Sequence, residues 1–178
     1  MIRNIISSNI DSLNDLNKQY IWLPNSESIR PNQFDLTHKQ YRLNQITNEW
    51  VSLADYIRFK IFGQKAYLNS LNKKQILVKP DQATQHILPK FVFAESEFKY
   101  NLIPESNHWI MWLSEFTQNE MLTIELINTI NEEITNQLTK IIGSEKFDFA
   151  WYKNPKPTVD EFLHVQVFWI RLSEKIIE

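Results

Sequence analysis

Phe162-Leu-His-Val-Gln-Val-Phe-Trp-Ile170 (FLHVQVFWI) is a run of β-branched and aromatic residues with no glycine or proline, and it reads as a strand. Strand alternation puts Phe162, His164, Gln166 and Phe168 on one face and Leu163, Val165, Val167 and Trp169 on the other. The Leu/Val/Val/Trp face is the core side. His164 and Gln166 then share the opposite face.

Working back from this stretch, Phe147–Tyr152 (FDFAWY) reads as a partner strand, separated from it by a loop with Pro155 and Pro157. Before that, the spacing predicts one long helix from about Thr117 to Ile142. Its apolar stripe runs through Met121, Ile124, Leu126, Ile127, Ile130, Ile134, Leu138 and Ile141, with Thr117-Gln-Asn-Glu120 as a capping box and Gly143 as its C-terminal cap. Asn107–Leu113 (NHWIMWL) and Lys90–Ala94 (KFVFA) read as two further strands, and Gln75–Val78, stopped by Pro80, as a short one. Strand, strand, long helix, strand, strand implies an α+β architecture, an antiparallel sheet with a helix on one face.

The first third reads as helical scaffold. Trp50, Leu53, Ala54, Ile57 and Ile61 fall on one face of a helix, with Asp55, Arg58 and Lys60 opposite. Two helices are expected, Thr37–Asn48 and Val51–Leu68, after a short polar segment at Asp11–Tyr20 and a loop marked by Pro24 and Pro31. The expected organisation is one domain over residues 1–178, with a helical segment at 1–70 and an α+β core at 71–178.

Composition removes several function classes. The 178 residues include 2 glycines, Gly63 and Gly143, so neither a Walker loop nor a dinucleotide fingerprint exists. With no cysteine there is no disulfide, thiolate chemistry or cysteine-type metal centre. Nineteen basic against 21 acidic residues give no footprint for nucleic acid. Met1–Ile10 has no signal-peptide pattern and no stretch is long and apolar enough to span a membrane, so a cytoplasmic location is expected.

Four histidines are the remaining chemical candidates. His38 opens a polar helix and reads as solvated, and His86 sits before Ile87-Leu-Pro89 with no partner spacing. His108 and His164 each lie in an apolar strand, where a half-buried imidazole either satisfies one hydrogen bond or acts as nucleophile or base with its second nitrogen held by an acceptor. If their side chains lie more than about 8–10 Å apart, or either is sealed in the core, the expectation of catalysis by this pair falls, because groups acting together must come within hydrogen-bond reach or one water of each other. Glu132-Glu133 reads as a solvated helix face, and Glu95 and Glu97 as a strand end without a partner. No His-x-His or His-Glu-x-x-His spacing is present, so no metal site is expected.

The last third resembles the histidine-triad superfamily, whose motif alternates three histidines with apolar residues, the last replaced by Gln in galactose-1-phosphate uridylyltransferases. His108-Trp-Ile-Met-Trp-Leu113, the long helix, Asn154, Thr158-Val159 and His164-Val-Gln166 follow in the family's order. The resemblance implies a histidine-triad-like fold with His164 as the nucleophile toward an α-phosphate. Gln166 and His108 would be oxygen-binding or orienting groups, and Asn154 and Thr158 would contact sugar or phosphate. It also implies pairing of sheets in a homodimer, and no cofactor. Phe162 stands where the motif has its first histidine.

Over a longer span the chain is similar to the fungal family named after an N-acetylglucosamine-induced protein, a domain of unknown function. The similar stretches are Arg30-Pro-Asn-Gln, Gln40-Tyr-Arg, Trp50-Val-Ser-Leu-Ala-Asp-Tyr56, Lys99 to Trp112, Trp151-Tyr-Lys-Asn-Pro155 and Val159 to Val165. That resemblance implies an intracellular role linked to amino-sugar metabolism.

Three expectations follow. The first is an enzyme that hydrolyses or transfers at a nucleotide or sugar phosphate, with Lys153 or another cation offsetting phosphate charge in a pocket on the His164/Gln166 face. The second is a module that binds such a ligand without turnover. The third is an interaction protein, a homodimer joined through Trp109, Met111, Trp169 and the helical segment.

Overall fold

The computed structural model describes residues 5–7, 33–77, 88–98, 106–143, 146–154 and 157–172. The expected segment Asp11–Tyr20, the positions Pro24, Pro31, Val78, Pro80, His86 and Pro155, and the similar stretch from Lys99 lie partly or wholly outside them. Among the described residues the class is α+β, with three helices and seven strands. No helix among them is long and apolar enough to cross a membrane.

The main sheet is built from β4 (Phe91–Glu95), β5 (Ser106–Leu113), β6 (Phe147–Lys153) and β7 (Leu163–Arg171). Its order is β1-β6-β7-β5-β4, antiparallel throughout except for the edge strand β1 (Ile5–Ser7), which runs parallel to β6. The three longest strands, β5, β6 and β7, thus form its centre.

One face of this sheet carries Met111, Leu113, Phe149, Trp151, Leu163, Val165, Val167 and Trp169, and helix α3 (Ile124–Ile142) packs onto it. Leu126, Ile130, Ile134, Leu138 and Ile142, each four residues from the last, form the buried stripe. Ile130, Ile134 and Leu138 are fully buried, each contributing on the order of 1.5–3 kcal/mol through apolar burial. Trp151 Nε1 donates to Asn131 Oδ1 at 2.7 Å, fixing helix against sheet. Gly143 supplies the C-cap at φ +76°, as its position implied, and its N–H reaches Thr139 O.

The helix start differs from expectation. α3 begins after Thr123, whose hydroxyl accepts from Leu126 N–H; Thr117–Glu120 is a turn before it. The capping-box pattern at Thr117 is a local signal, but Gln118 is drawn into the interior, which takes its segment out of the helix. Met121 and Ile124 are therefore exposed, as is Ile141, whose place in the stripe Ile142 takes.

The opposite face of the sheet is also covered. Helices α1 (Gln33–Glu49) and α2 (Leu53–Lys60) lie over it, with Ala54 and Phe62 packed among Trp112, Val159 and Phe162. Ser52 caps α2, its hydroxyl accepting from Asp55 N–H. Ile46, Trp50 and Tyr56 form a smaller core where the two helices meet.

The expected helix over Val51–Leu68 is cut short at Lys60. Phe62 N–H and Gln64 N–H turn back to Ile57 O and Arg58 O around Gly63, which takes φ +68°. The chain then forms a hairpin of β2 (Ala66–Leu68) and β3 (Lys74–Ile76). Asn69 Oδ1 accepts from Leu71 and Lys73 N–H, and Asn72 takes φ +57°. Asparagine turn chemistry thus overrides an apolar spacing that continued the helix.

Candidate functional site

Between α1, α2 and the sheet lies a cavity of about 170 Å³. Its floor is the face that alternation assigned to His164: the pairs Ile110–Gln166 and Trp112–His164 are successive rungs of the β5/β7 ladder on that face. Its roof is Lys39, Leu43 and Ile46 of α1 and Leu53, Tyr56, Ile57 and Lys60 of α2. The segments Glu95–Phe98 and Asn154–Val159 supply the ends, apart from residues 155–156. The helical first third, read as scaffold, forms half of the cavity wall.

His164 is 5% exposed and stacks on Trp112, ring centroids 4.6 Å apart at 27°. Its Nδ1 lies 3.0 Å from Phe162 O. A carbonyl only accepts, so Nδ1 carries the proton and Nε2 holds the lone pair. Nε2 has no hydrogen-bond partner among the described residues. Burial is the largest influence on the imidazole and lowers its pKa from the ordinary value; the Phe162 carbonyl and the Asp160 charge act the other way. The ring is therefore neutral at pH 7.

Strand β7 begins at a junction held by Gln118. Its Oε1 accepts from His164 N–H at 3.0 Å, its Nε2 donates to Asn154 O at 3.2 Å, and its own N–H reaches Asp160 O. At 4% exposure, Gln118 ties the turn before α3 to both flanks of the site. Nothing in local sequence marks it, because its partners lie 36 and 46 residues away.

His108 and His164 do not meet and His108 is buried, which corrects the expectation that the pair acts together in catalysis. His108 lies opposite Phe168, four residues along β7 from His164, a separation of about 13 Å along the strand. His108 does not line the cavity; its Nε2 sits 2.6 Å from Gln166 Oε1 and its ring stacks on Phe168. The imidazole N–H donates to the amide oxygen, which leaves the Gln166 amide N–H groups for the cavity that Gln166 lines. His108 is thus placed against the Gln166 side chain and not against His164.

Asn154 and Thr158 line the cavity with His164 and Gln166. Lys153 does not: its Nζ donates to Glu120 O at 2.6 Å, and its rung partner is Val165, on the α3 side of the sheet. The cations at the cavity are Lys39 and Lys60. Phe162, at the position of the missing motif histidine, packs against the Phe62 ring at 4.8 Å beneath the Arg58 guanidinium at 5.1 Å.

Glu97, expected to lack a partner, has two. Arg42 Nε donates to Glu97 Oε1 at 2.7 Å, and Tyr56 OH donates to Glu97 Oε2 at 3.2 Å. Burial, and then the Glu97 charge, push the Tyr56 phenol pKa up. Glu95 and Glu97 both border the cavity. His38 is exposed, as expected, and Glu132 is exposed while Glu133 accepts from Gln137 Nε2.

Of the residues expected at an intermolecular interface, Met111 and Trp169 are buried under α3, and Trp109 packs against Phe93 and Trp169. No group of three or more His, Asp or Glu side chains among the described residues is placed to hold a metal ion. Comparison with protein-family models, with characterised proteins and with solved structures gives no match.

Proposed function

We propose that this chain is a cytoplasmic, histidine-triad-like protein that binds a nucleotide or sugar phosphate in the cavity above Gln166 and His164, and that attack on the phosphorus falls to His164 alone, without His108. The Nε2–P bond forms as the P–O bond to the leaving group breaks, and water or an acceptor hydroxyl then takes the phosphoryl or nucleotidyl group from the imidazole. The observation that carries this reading is the fixed Nδ1–H···O=C bond from His164 to Phe162, with the unprotonated Nε2 on a cavity-lining side chain. Attack turns the ring into a cation, which that carbonyl and the Asp160 charge favour. The Gln166 amide and Lys60 offset charge gathering on the phosphate oxygens. The resemblances described above support the same reading and add amino-sugar phosphates to the candidates.

The test is release of phosphate or nucleotide from a panel of nucleotide, sugar and amino-sugar phosphates by wild-type protein and by His164→Asn. Turnover by wild type alone, with an acid-labile phosphoryl adduct on the imidazole, supports the mechanism. A panel with no wild-type turnover overturns it.

A second reading, a ligand-binding module without turnover, is favoured by the packing of Phe162. Its aromatic contacts fill the place of the motif histidine, and His108 is engaged with Gln166, so among the described residues no second histidine is placed beside His164 to reach a leaving-group oxygen. Ligand-dependent thermal stabilisation of wild-type protein without turnover selects this reading.

A further inference from the structure

We infer that the ligand is a phosphate ester of a single sugar ring, held with its phosphate toward His164 and Lys60 and its hydroxyls toward Glu95 and Glu97, and that whole nucleotides are excluded. This rests on reading the cavity as a phosphate-ester site and narrows that reading to one class.

Size argues first. The cavity holds about 170 Å³, below the ~300–1,000 Å³ of sites for drug-sized ligands. The floor gives the same answer independently. Gln166 and His164 are neighbours on one face of β7, about 7 Å apart along the strand, the span of a ring and not of a base, a ribose and a phosphate in line. Above them Ile46 is buried and Leu53 and Ile57 belong to the packed helix layer, so no slot continues upward for a base.

Polarity orients the ligand. Strand register places Asn154, one residue beyond the Lys153–Val165 rung, at the His164 end. Ser96 N–H bonds His108 O and Glu95 lies opposite Trp109, so the two carboxylates stand at the other end. Lys60 closes α2, and its neighbour Ile61 packs on the cluster of Val159 and Phe162 that leads into β7, which puts Lys60 at the His164 end. Lys60 has no carboxylate partner among the described residues. Carboxylates accept hydrogen bonds from ring hydroxyls, so the far end suits a polyol, with Lys39 over the Phe98 ring and Arg42 on Glu97 offsetting part of its negative charge.

Isothermal titration of the full chain with glucose 6-phosphate, ribose 5-phosphate, AMP and inorganic phosphate tests the inference. The expected result is that at least one sugar phosphate binds about tenfold tighter than AMP and than inorganic phosphate. Lys60→Ala, on an exposed side chain, should weaken that sugar phosphate by a similar factor with unchanged melting temperature. AMP binding as tightly as the sugar phosphates overturns the inference and leaves the broader phosphate-ester reading standing. Inorganic phosphate binding alone, or sugar-phosphate affinity unchanged in Lys60→Ala, also overturns the inference. If none of the four binds, both readings fall.

Discussion

The imidazole of His164 is held by the residue two positions before it in its own strand: Nδ1 donates to Phe162 O at 3.0 Å. This one bond fixes the tautomer and leaves Nε2 as the ring's unprotonated nitrogen. The first prediction follows from it. His164→Asn should abolish turnover and cost only about 1 kcal/mol in urea unfolding, the scale of the lost stack on Trp112. Wild-type turnover in this variant would show that Nε2 is not the nucleophile.

The pH dependence of stability has a definite sign. The folded His164 pKa lies below the ordinary value of 6.5, so between that folded pKa and about 6.5 the unfolded state binds the extra proton. Stability should therefore be unaffected by this group above about pH 6.5 and should fall as pH drops below it, flattening once the folded ring also protonates. Subtracting the unfolding curve of His164→Gln from that of wild type isolates the limb. A difference that does not change from pH 7 to 5 would contradict the assignment.

Gln118 is a positioning residue. Gln118→Leu keeps the volume and leaves His164 N–H and Asn154 O without their partners, at a cost of about 1–3 kcal/mol. Because the start of β7 loosens, kcat should drop more than KM rises, whereas a purely structural role would leave kinetics of the folded fraction untouched.

The two candidate helix starts separate by mutation. Thr123→Ala should destabilise by about 1 kcal/mol through loss of the cap on Leu126 N–H. Thr117→Ala, at an exposed turn position, should cost less than half as much. Equal costs in thermal unfolding would restore the earlier start.

Arg42 fastens α1 over the cavity. The Arg42–Glu97 pair is about a third exposed on each side, so its net worth is about 0–1 kcal/mol and falls with salt. Arg42→Ala should raise amide exchange across the N-terminal half of α1, which among its side chains from Leu36 to Glu49 buries only Ile46, and leave α3 unchanged. Uniform exchange across both helices would show that Glu97 holds nothing down.

Much of the core was legible because its information is local. The alternation of Leu163, Val165, Val167 and Trp169 and the four-residue stripe from Leu126 to Leu138 are periodicities of one element, and the structure packs those two faces together. Gly143 was legible for the same reason, since a helix end needs a residue that accepts positive φ. The errors fall where two local signals competed: Thr117 against Thr123 as cap, and apolar spacing against Gly63 and Asn69 beyond α2.

The face carrying His164 and Gln166 was thus set out by strand alternation, while Asn154 and Thr158, which line the cavity beside it, were expected only from the histidine-triad resemblance. That α1 and α2 cover this face was decided by tertiary structure, as were the exclusion of Lys153 from the cavity, the pairing of His108 with Gln166 and the joining of Arg42 to Glu97. These contacts join residues 33 to 58 positions apart. No period of 2 or 3.6 encodes such a pairing, because it depends on how whole elements stack after each has buried its own apolar face.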